Sequence, residues 1–235
     1  MKRIGALFSV LACFAAAPQG AQAEPDPIVI ELFTSQGCSS CPSADALLAK
    51  LATRDDVLAL SLHVDYWDYI GWPDEFAMPQ FTKRQKGYAR AMGERMIYTP
   101  QMILEGQTHV VGNRPMDVAD ALMRVSETRG GSDMTASLAG DQLTVSVYQM
   151  PAAKEPMLLQ LVAYTPSETV KIGRGENAGK EVTYVNVVTS WQVLTEWDGQ
   201  GTLTMTLPKT PADQPLALIL QHPRQGAIEA AALLR

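Results

Sequence analysis

The sequence predicts an α/β domain followed by an all-β domain, and three observations carry that reading. From Ile28 to Asp45 a continuous apolar run turns sharply through Cys38 and Cys41 into a helical pattern, and Val57 to Val64 supplies a second apolar run. Strand, helix and strand thus follow one another within about forty residues, as in a right-handed βαβ unit with parallel strands. Gly130-Gly131-Ser132-Asp133 is the strongest break in the chain. Beyond it, apolar and polar residues alternate with period two in many short runs separated by Gly, Pro and Asp, the pattern of an antiparallel, sandwich-like domain. The divisions that follow are residues 1–23 as a leader, 24–129 as the α/β domain, 130–133 as a linker and 134–235 as the all-β domain.

The leader has a cationic start at Lys2 and Arg3, an apolar stretch from Ile4 to Ala17 and the small-x-small end Ala21-Gln22-Ala23, which together read as a secretory signal peptide cleaved after Ala23. Val10-Leu11-Ala12-Cys13 loosely matches a lipoprotein cleavage box, so the alternative is a lipid-modified Cys13. No later stretch approaches the roughly 18 consecutive apolar residues that a membrane span needs. Export places the mature chain in the periplasm or outside the cell, where Cys38 and Cys41 can form a disulfide. With 19 Lys and Arg against 25 Asp and Glu, and no basic cluster, the chain lacks the electrostatic footprint of a nucleic-acid or anionic-lipid binder.

The elements follow in order. After a polar, proline-containing start comes the strand Ile28 to Phe33, then a helix from about Ser39 to Thr53 with Ala44, Leu47, Leu48 and Leu51 on one face. The strand Val57 to Val64 opens into Asp65 to Pro73, where Tyr66, Trp67, Tyr69 and Trp72 cluster. These rings either cover the sheet edge or wall an apolar substrate site, with Trp67 and Trp72 as candidate substrate contacts. A helix from Glu75 or Pro79 to Met92 turns Phe81, Tyr88 and Met92 to one side, and Gly93 caps it. Ile97 to Leu104 and Thr108 to Val111 form a hairpin about Glu105-Gly106, and a last helix runs from Pro115 to about Thr128. Strands are then expected at Thr135 to Leu138, Leu143 to Tyr148, Leu158 to Tyr164, Glu181 to Val188, Ser190 to Glu196, Thr202 to Leu207 and Leu216 to Gln221, with a further one from Ala227. The glycine-rich stretch Gly173 to Lys180 fails the phosphate-loop spacing and has strands on both sides, so it reads as a long hairpin loop.

A C-x-x-C pair admits a redox centre, a structural disulfide or half of a metal site. As a staple it closes so short a loop that chain entropy gives only ~2 kcal/mol. A structural zinc site calls for a second Cys/His pair, whereas His63, His109 and His222 are scattered singly. At the start of a helix, free backbone N–H groups and the positive dipole end favour a thiolate, which makes Cys38, the more N-terminal of the two and expected to be the more exposed, the nucleophile and Cys41 the resolving cysteine. His63, near the end of the neighbouring strand, is a core histidine or, with Cys38 and Cys41, the third ligand of a Cu(I) site.

From Ile28 to Arg129 the chain resembles the thioredoxin superfamily. FTSQGCSSC is similar to the strand and C-x-x-C turn of glutaredoxins, and Thr99-Pro100-Gln101 with Glu105-Gly106 and Val111-Gly112 is similar to their cis-proline hairpin. It departs from them in having no Trp before Cys38 and Ser39-Ser40 between the cysteines. The longer pattern, ELFTSQGCSSCP with LSLHVDYWDYIGWPDEF, YTPQM and RGENAGKEVTYVNVV, resembles a family of exported bacterial thioredoxin-like proteins called domain of unknown function 1223. The resemblance implies a thioredoxin-like first domain, with Thr99 and Pro100 holding a substrate backbone beside the sulfurs. It also implies a buried carboxylate, Glu31, that accepts the proton of Cys41; such a group within an apolar strand has a raised pKa unless it is paired. The expected function is an exported thiol-disulfide oxidoreductase acting on protein or small-thiol disulfides with a redox partner protein and no cofactor. The alternatives are a Cu(I) chaperone using Cys38, Cys41 and His63, and a non-catalytic binding module with a static disulfide.

Overall fold

A computed structural model describes residues 21–22, 24–129, 133–148, 154–207 and 214–234. The expected leader, Cys13 included, lies outside the described residues except for Ala21–Gln22, and so do Gly130, Gly131 and Ser132 of the expected linker. The strands in chain order are β1 (Ala21–Gln22), β2 (Glu24–Pro25), β3 (Ile28–Thr34), β4 (Val57–His63), β5 (Gln101–Leu104), β6 (Thr108–Val111), β7 (Asp133–Ala139), β8 (Gln142–Tyr148), β9 (Met157–Lys171), β10 (Glu181–Trp197), β11 (Thr202–Thr206), β12 (Leu216–Gln221) and β13 (Ile228–Leu234). The helices are α1 (Pro42–Leu51), α2 (Pro79–Ala91) and α3 (Pro115–Thr128). None is long and apolar enough to cross a membrane.

The architecture is mixed α/β. A nine-stranded sheet runs in the order β2-β13-β12-β9-β10-β4-β3-β5-β6, and a four-stranded sheet in the order β1-β7-β8-β11. Strands β3 and β4 pair in parallel about the α1 crossover, and β5 and β6 add on antiparallel. The large sheet does not stop at the expected boundary near residue 130. Val187 of β10 pairs in parallel with Ser61 of β4, and the Asn186 side chain donates to the Ala59 carbonyl at 2.8 Å, so the second half continues the sheet of the first.

Strand alternation distributes the core. Val29, Phe33, Leu60 and Leu62 pack with Phe81 and Tyr88 of α2 and with Ile219 and Ala231 from the end of the chain. Ile28, Ile30 and Leu32, on the opposite face, pack against Ala44 and Leu48 of α1 and Val118, Ala121 and Leu122 of α3. At the far end, Met134, Leu143 and Val145 of the small sheet meet Leu159, Leu161, Leu218 and Ala232 of the large one, which supplies the expected sandwich.

Local expectations change at four places, two of them strand lengths: β9 runs on to Lys171 instead of ending at Tyr164, and β5 starts at Gln101 instead of Ile97. The runs Glu181 to Val188 and Ser190 to Glu196 form one strand, because register shifts at Val188/Ser190 and Val193/Thr195 absorb the irregularity that read as a break. Helix α1 starts at Pro42, three residues later than expected, with Cys41 as its N-cap and Cys38 in the preceding turn.

Candidate functional site

The site is built where β3 and β4 end side by side. Thr34 and His63 are partners in the parallel ladder, and the chain leaves Thr34 through Ser35, Gln36 and Gly37 to Cys38. That turn closes through Cys38 N–H to the Ser35 carbonyl and Cys41 N–H to the Cys38 carbonyl, at 3.1 and 3.2 Å. Cys38 and Cys41 form a disulfide, with the Ser40 hydroxyl 3.5 Å from the Cys38 sulfur. Proline at the first helical position fits because its missing N–H is one that the helix start leaves unpaired.

The expectation of an exposed Cys38 is corrected: Cys38 is 1% exposed and Cys41 0%, while Ser39 and Ser40 face solvent. Two segments produce the cover. The aromatic segment folds back so that Asp74 accepts the Gln36 N–H at 2.8 Å and Trp72 Nε1 donates to Gln36 Oε1 at 2.7 Å. A side chain at Gly37 would meet Ile70 at 3.1 Å and the Trp67 Cβ at 3.2 Å, so the turn approaches this cover closely. From the second half, the loop between β9 and β10 brings Asn177, whose side-chain N–H groups donate to the carbonyls of Gln36 and Cys38 at 2.9 and 2.8 Å. Lys180 donates to Asn177 Oδ1 at 2.8 Å, and Gly173 lies against the Trp72 ring.

Thr99 and Pro100 enter the same region. Gln101 pairs with Phe33, which sets Pro100 across from Thr34, and the Thr99–Pro100 peptide is cis. Trp67 Nε1 donates to Thr99 Oγ1 at 2.7 Å and ties the aromatic segment to this strand start. Trp67 and Trp72 therefore both reach the cysteine neighbourhood, as hydrogen-bonded cover.

Glu31 does not join them. Position 31 shares its face with Val29 and Phe33, toward α2, whereas α1 and its cysteines lie on the other face. There the carboxylate is paired: Arg84 donates to its two oxygens at 2.6 and 2.8 Å and the Tyr88 hydroxyl at 2.5 Å. Arg84 also stacks on Trp191 at 3.7 Å, and burial pushes the Tyr88 phenol well above its ordinary range. The role expected of Glu31 near Cys41 is thus not where its side chain is.

A different carboxylate is. Asp45, one helical turn beyond Cys41 and on the same face, is 2% exposed and accepts the Thr34 hydroxyl at 2.8 Å. Burial pushes its pKa up to about 7, against the lowering effect of His63 and the Thr34 hydroxyl. His63 Nδ1 bonds Asp74 Oδ2 at 2.7 Å, and its ring lies edge-on to Tyr184 and Phe76. Asp45 Oδ2 and His63 Nε2 are both buried with no hydrogen-bond partner among the described residues. The Cu(I) set of Cys38, Cys41 and His63 meets one obstacle, that the sulfurs are bonded to each other; the Nε2 of His63 is left without a partner among the described residues. Among the described residues no group of three or more His, Cys, Asp or Glu side chains is disposed to hold a metal. His109 and His222 lie elsewhere, paired with Glu94 and Glu229.

Asp45, Asp74 and Asn177 were the residues that sequence reasoning missed. Asp45 interrupts the stripe of Ala44 and Leu48, a signal that was available; Asp74 and Asn177 lie in loops whose path depends on the tertiary fold.

No curated protein matches the chain. The crystal structure of protein AGR_C_4864 from Agrobacterium tumefaciens is similar to it at 35% sequence identity and a TM-score of 0.76, covering 90% of this chain and 95% of that one. The family described as protein of unknown function (DUF1223) matches residues 29–221, which hold both cysteines, both covering loops and the buried acidic group, and the chain belongs to that family.

Proposed function

We propose that the protein is an exported thiol-disulfide oxidoreductase whose reactive group is the Cys38–Cys41 pair, carried on a thioredoxin-like unit formed by residues 28–129. The observation that carries this reading is a disulfide at the N-terminus of α1 with a titratable carboxyl, Asp45, one turn below it. The strand order β4-β3-β5-β6, with α1 and α3 on one face and α2 on the other, and Pro100 across from Thr34, support the thioredoxin-like assignment.

Starting from the disulfide, a substrate thiolate attacks the Cys38 sulfur, the S–S bond breaks, and Cys41 leaves as a thiolate that takes the proton held on Asp45. A second substrate thiolate then attacks the substrate sulfur of the mixed disulfide and releases Cys38, so the substrate pair is oxidised and the protein pair reduced. The reverse sequence reduces a substrate disulfide, with Cys38 as the attacking thiolate and Asp45, once ionised, accepting the proton of Cys41. In this reading Thr99 and Pro100, the latter across from Thr34, hold the substrate backbone beside the sulfurs. Either direction requires the two covering segments to move, since both sulfurs are buried.

That burial favours a second reading, a binding module with a static disulfide. One experiment separates the two: a redox titration of the exported protein together with trapping by a Cys41→Ala variant. The oxidoreductase reading expects a measurable reduction potential within reach of thiol buffers and mixed disulfides on Cys38 of the variant. A pair that resists strong thiol reductants, with no trapped species, leaves the static disulfide.

A further inference from the structure

One face of α2 carries Gln80, Lys83, Arg84, Gly87 and Arg90 at helical spacing. Together with Trp191 of β10 and Gln225 of the turn between β12 and β13, this face borders a cavity of about 200 Å³. We propose that this cavity binds a small phosphate compound, its phosphate group held by the Nη1 nitrogen of Arg84 between Lys83 and Arg90.

Arg84 is fixed before any ligand arrives. Its Nε and Nη2 donate to the two oxygens of Glu31 at 2.6 and 2.8 Å, and Nη2 also donates to the Tyr88 hydroxyl and Gln221 Oε1 at 2.9 and 3.0 Å. The guanidinium stacks on the Trp191 ring at 3.7 Å, and Trp191 Nε1 donates to Gln160 Oε1 at 2.8 Å, so the ring is held as well. Nη1 alone is left over. It has no hydrogen-bond partner among the described residues and, unlike the unpartnered atoms elsewhere in the fold, it is not sealed from solvent. Arg84 is 7% exposed and lines the cavity, so the two N–H groups of Nη1 can meet a ligand there. Gly87 lets the Gln225 side chain lie directly on the helix and join the lining, since a Cβ at that position would fall 2.1 Å from Gln225 Oε1.

The charge of the lining selects the ligand. Arg84 is balanced by Glu31, whereas Lys83 and Arg90 form no ion pair among the described residues. No carboxyl side chain among the described residues lines the cavity. A phosphate group carries about −1.5 to −2 charges at pH 7 and offers three strong acceptor oxygens, which matches two unbalanced cations and the donors of Lys83, Arg84 and Arg90. A carboxylate brings one charge and leaves one cation uncompensated. The volume lies below the roughly 300 Å³ at which small-molecule sites begin, which limits the ligand to phosphate itself or a monoester of a few carbons. Arg84 stands on the face of β3 turned away from α1 and the cysteines, so this site does not depend on the redox reading.

The test is calorimetric titration of the full exported chain with inorganic phosphate and with methyl phosphate at constant ionic strength, with acetate as the singly charged control. Saturable phosphate binding, with acetate about tenfold weaker, is the expected result. Arg84→Lys keeps a cation for Glu31 and removes Nη1, and is expected to weaken phosphate binding about tenfold. Should that variant fail to fold, the exposed positions take its place: Lys83→Met and Arg90→Met are each expected to weaken binding about threefold. Lys86→Met alters the neighbouring groove but not this cavity and is expected to leave the affinity unchanged. Tighter inorganic phosphate assigns the site to the free ion and tighter methyl phosphate to an organic monoester, and either upholds the proposal. No saturable heat with either phosphate, equal binding of acetate, unchanged binding in the folded variants, or a loss in Lys86→Met as large as in Lys83→Met overturns it.

Discussion

The Asn177 side chain, from the second half of the chain, donates a hydrogen bond to the carbonyl of Cys38 at 2.8 Å and is itself 1% exposed. The same nitrogen reaches the Gln36 carbonyl, so one residue pins both ends of the turn that carries the first cysteine. Because this contact joins residues 139 positions apart, the cover over the disulfide is a tertiary feature rather than a property of the C-x-x-C turn.

Replacing Asn177 with Ala removes these bonds and frees Lys180 as well. A loss on the order of 2 kcal/mol in the covered state corresponds to about a thirtyfold rise in the opened population. The rate of disulfide reduction by dithiothreitol, followed by the fluorescence of Trp67 and Trp72, is therefore expected to rise by about that factor. An unchanged rate means that the loop between β9 and β10 does not control access.

Asp45 gives stability a pH dependence with a definite sign. Its pKa rises on folding from 3.8 to about 7, so between those values the folded state holds a proton that the unfolded chain has released. Stability from this group is fully present below about pH 4, falls as pH rises toward 7, and is flat above that. The span is on the order of 4 kcal/mol. Glu105 moves in the same direction, so the informative quantity is the difference between wild type and Asp45→Asn. Urea midpoints at pH 5 and pH 8, with the disulfide intact, should show a smaller loss on raising pH in the variant. An identical loss in both proteins removes Asp45 as a titrating group.

Glu31 is expected to matter for folding and not for redox chemistry. Truncating one partner of a buried ion pair leaves the other charge uncompensated, which costs about 3–5 kcal/mol. Glu31→Ala strands Arg84 and removes the acceptor of Tyr88. Denaturant unfolding should report a loss of that size, while the pH slope of the reduction potential stays as in wild type. A changed slope in Glu31→Ala, with no change in Asp45→Asn, would return the proton role to Glu31.

Much of the first half was legible because local patterns there agree with the tertiary structure. The parallel pair β3 and β4, the buried face of α2 with Phe81 and Tyr88, and the β5–β6 hairpin all follow from periodicity. The parity of β3 was legible too, and it already separates Glu31 from α1: with Ile30 and Leu32 toward α1, position 31 faces away. Resemblance to a distant superfamily suggested a carboxylate in that strand, but alternation fixes which face it occupies. Asp45 carried a signal of the opposite kind, a charge on a buried helical stripe. Asn177 carried none, since its loop reads as solvated until β10 is placed beside β4.

That placement leads to a last prediction about cooperativity. A division at residues 130–133 implies two units that melt separately, whereas the large sheet runs unbroken from β9 and β10 into β4 and β3. Phe81 and Tyr88 of α2 share one apolar cluster with Ile219, Ala231 and Leu233, so the first half depends on the last strands for part of its core. A chain ending at residue 129 would expose β4 as a long apolar edge next to an uncovered face, which is an aggregation template. The full chain is therefore expected to unfold in a single transition, with far-ultraviolet circular dichroism and tryptophan fluorescence coincident. The fragment of residues 24–129 is expected to be insoluble or to lack a cooperative transition. Two resolved transitions in the full chain, or a soluble fragment that unfolds cooperatively, would show that the sheet crosses a boundary between units that fold independently.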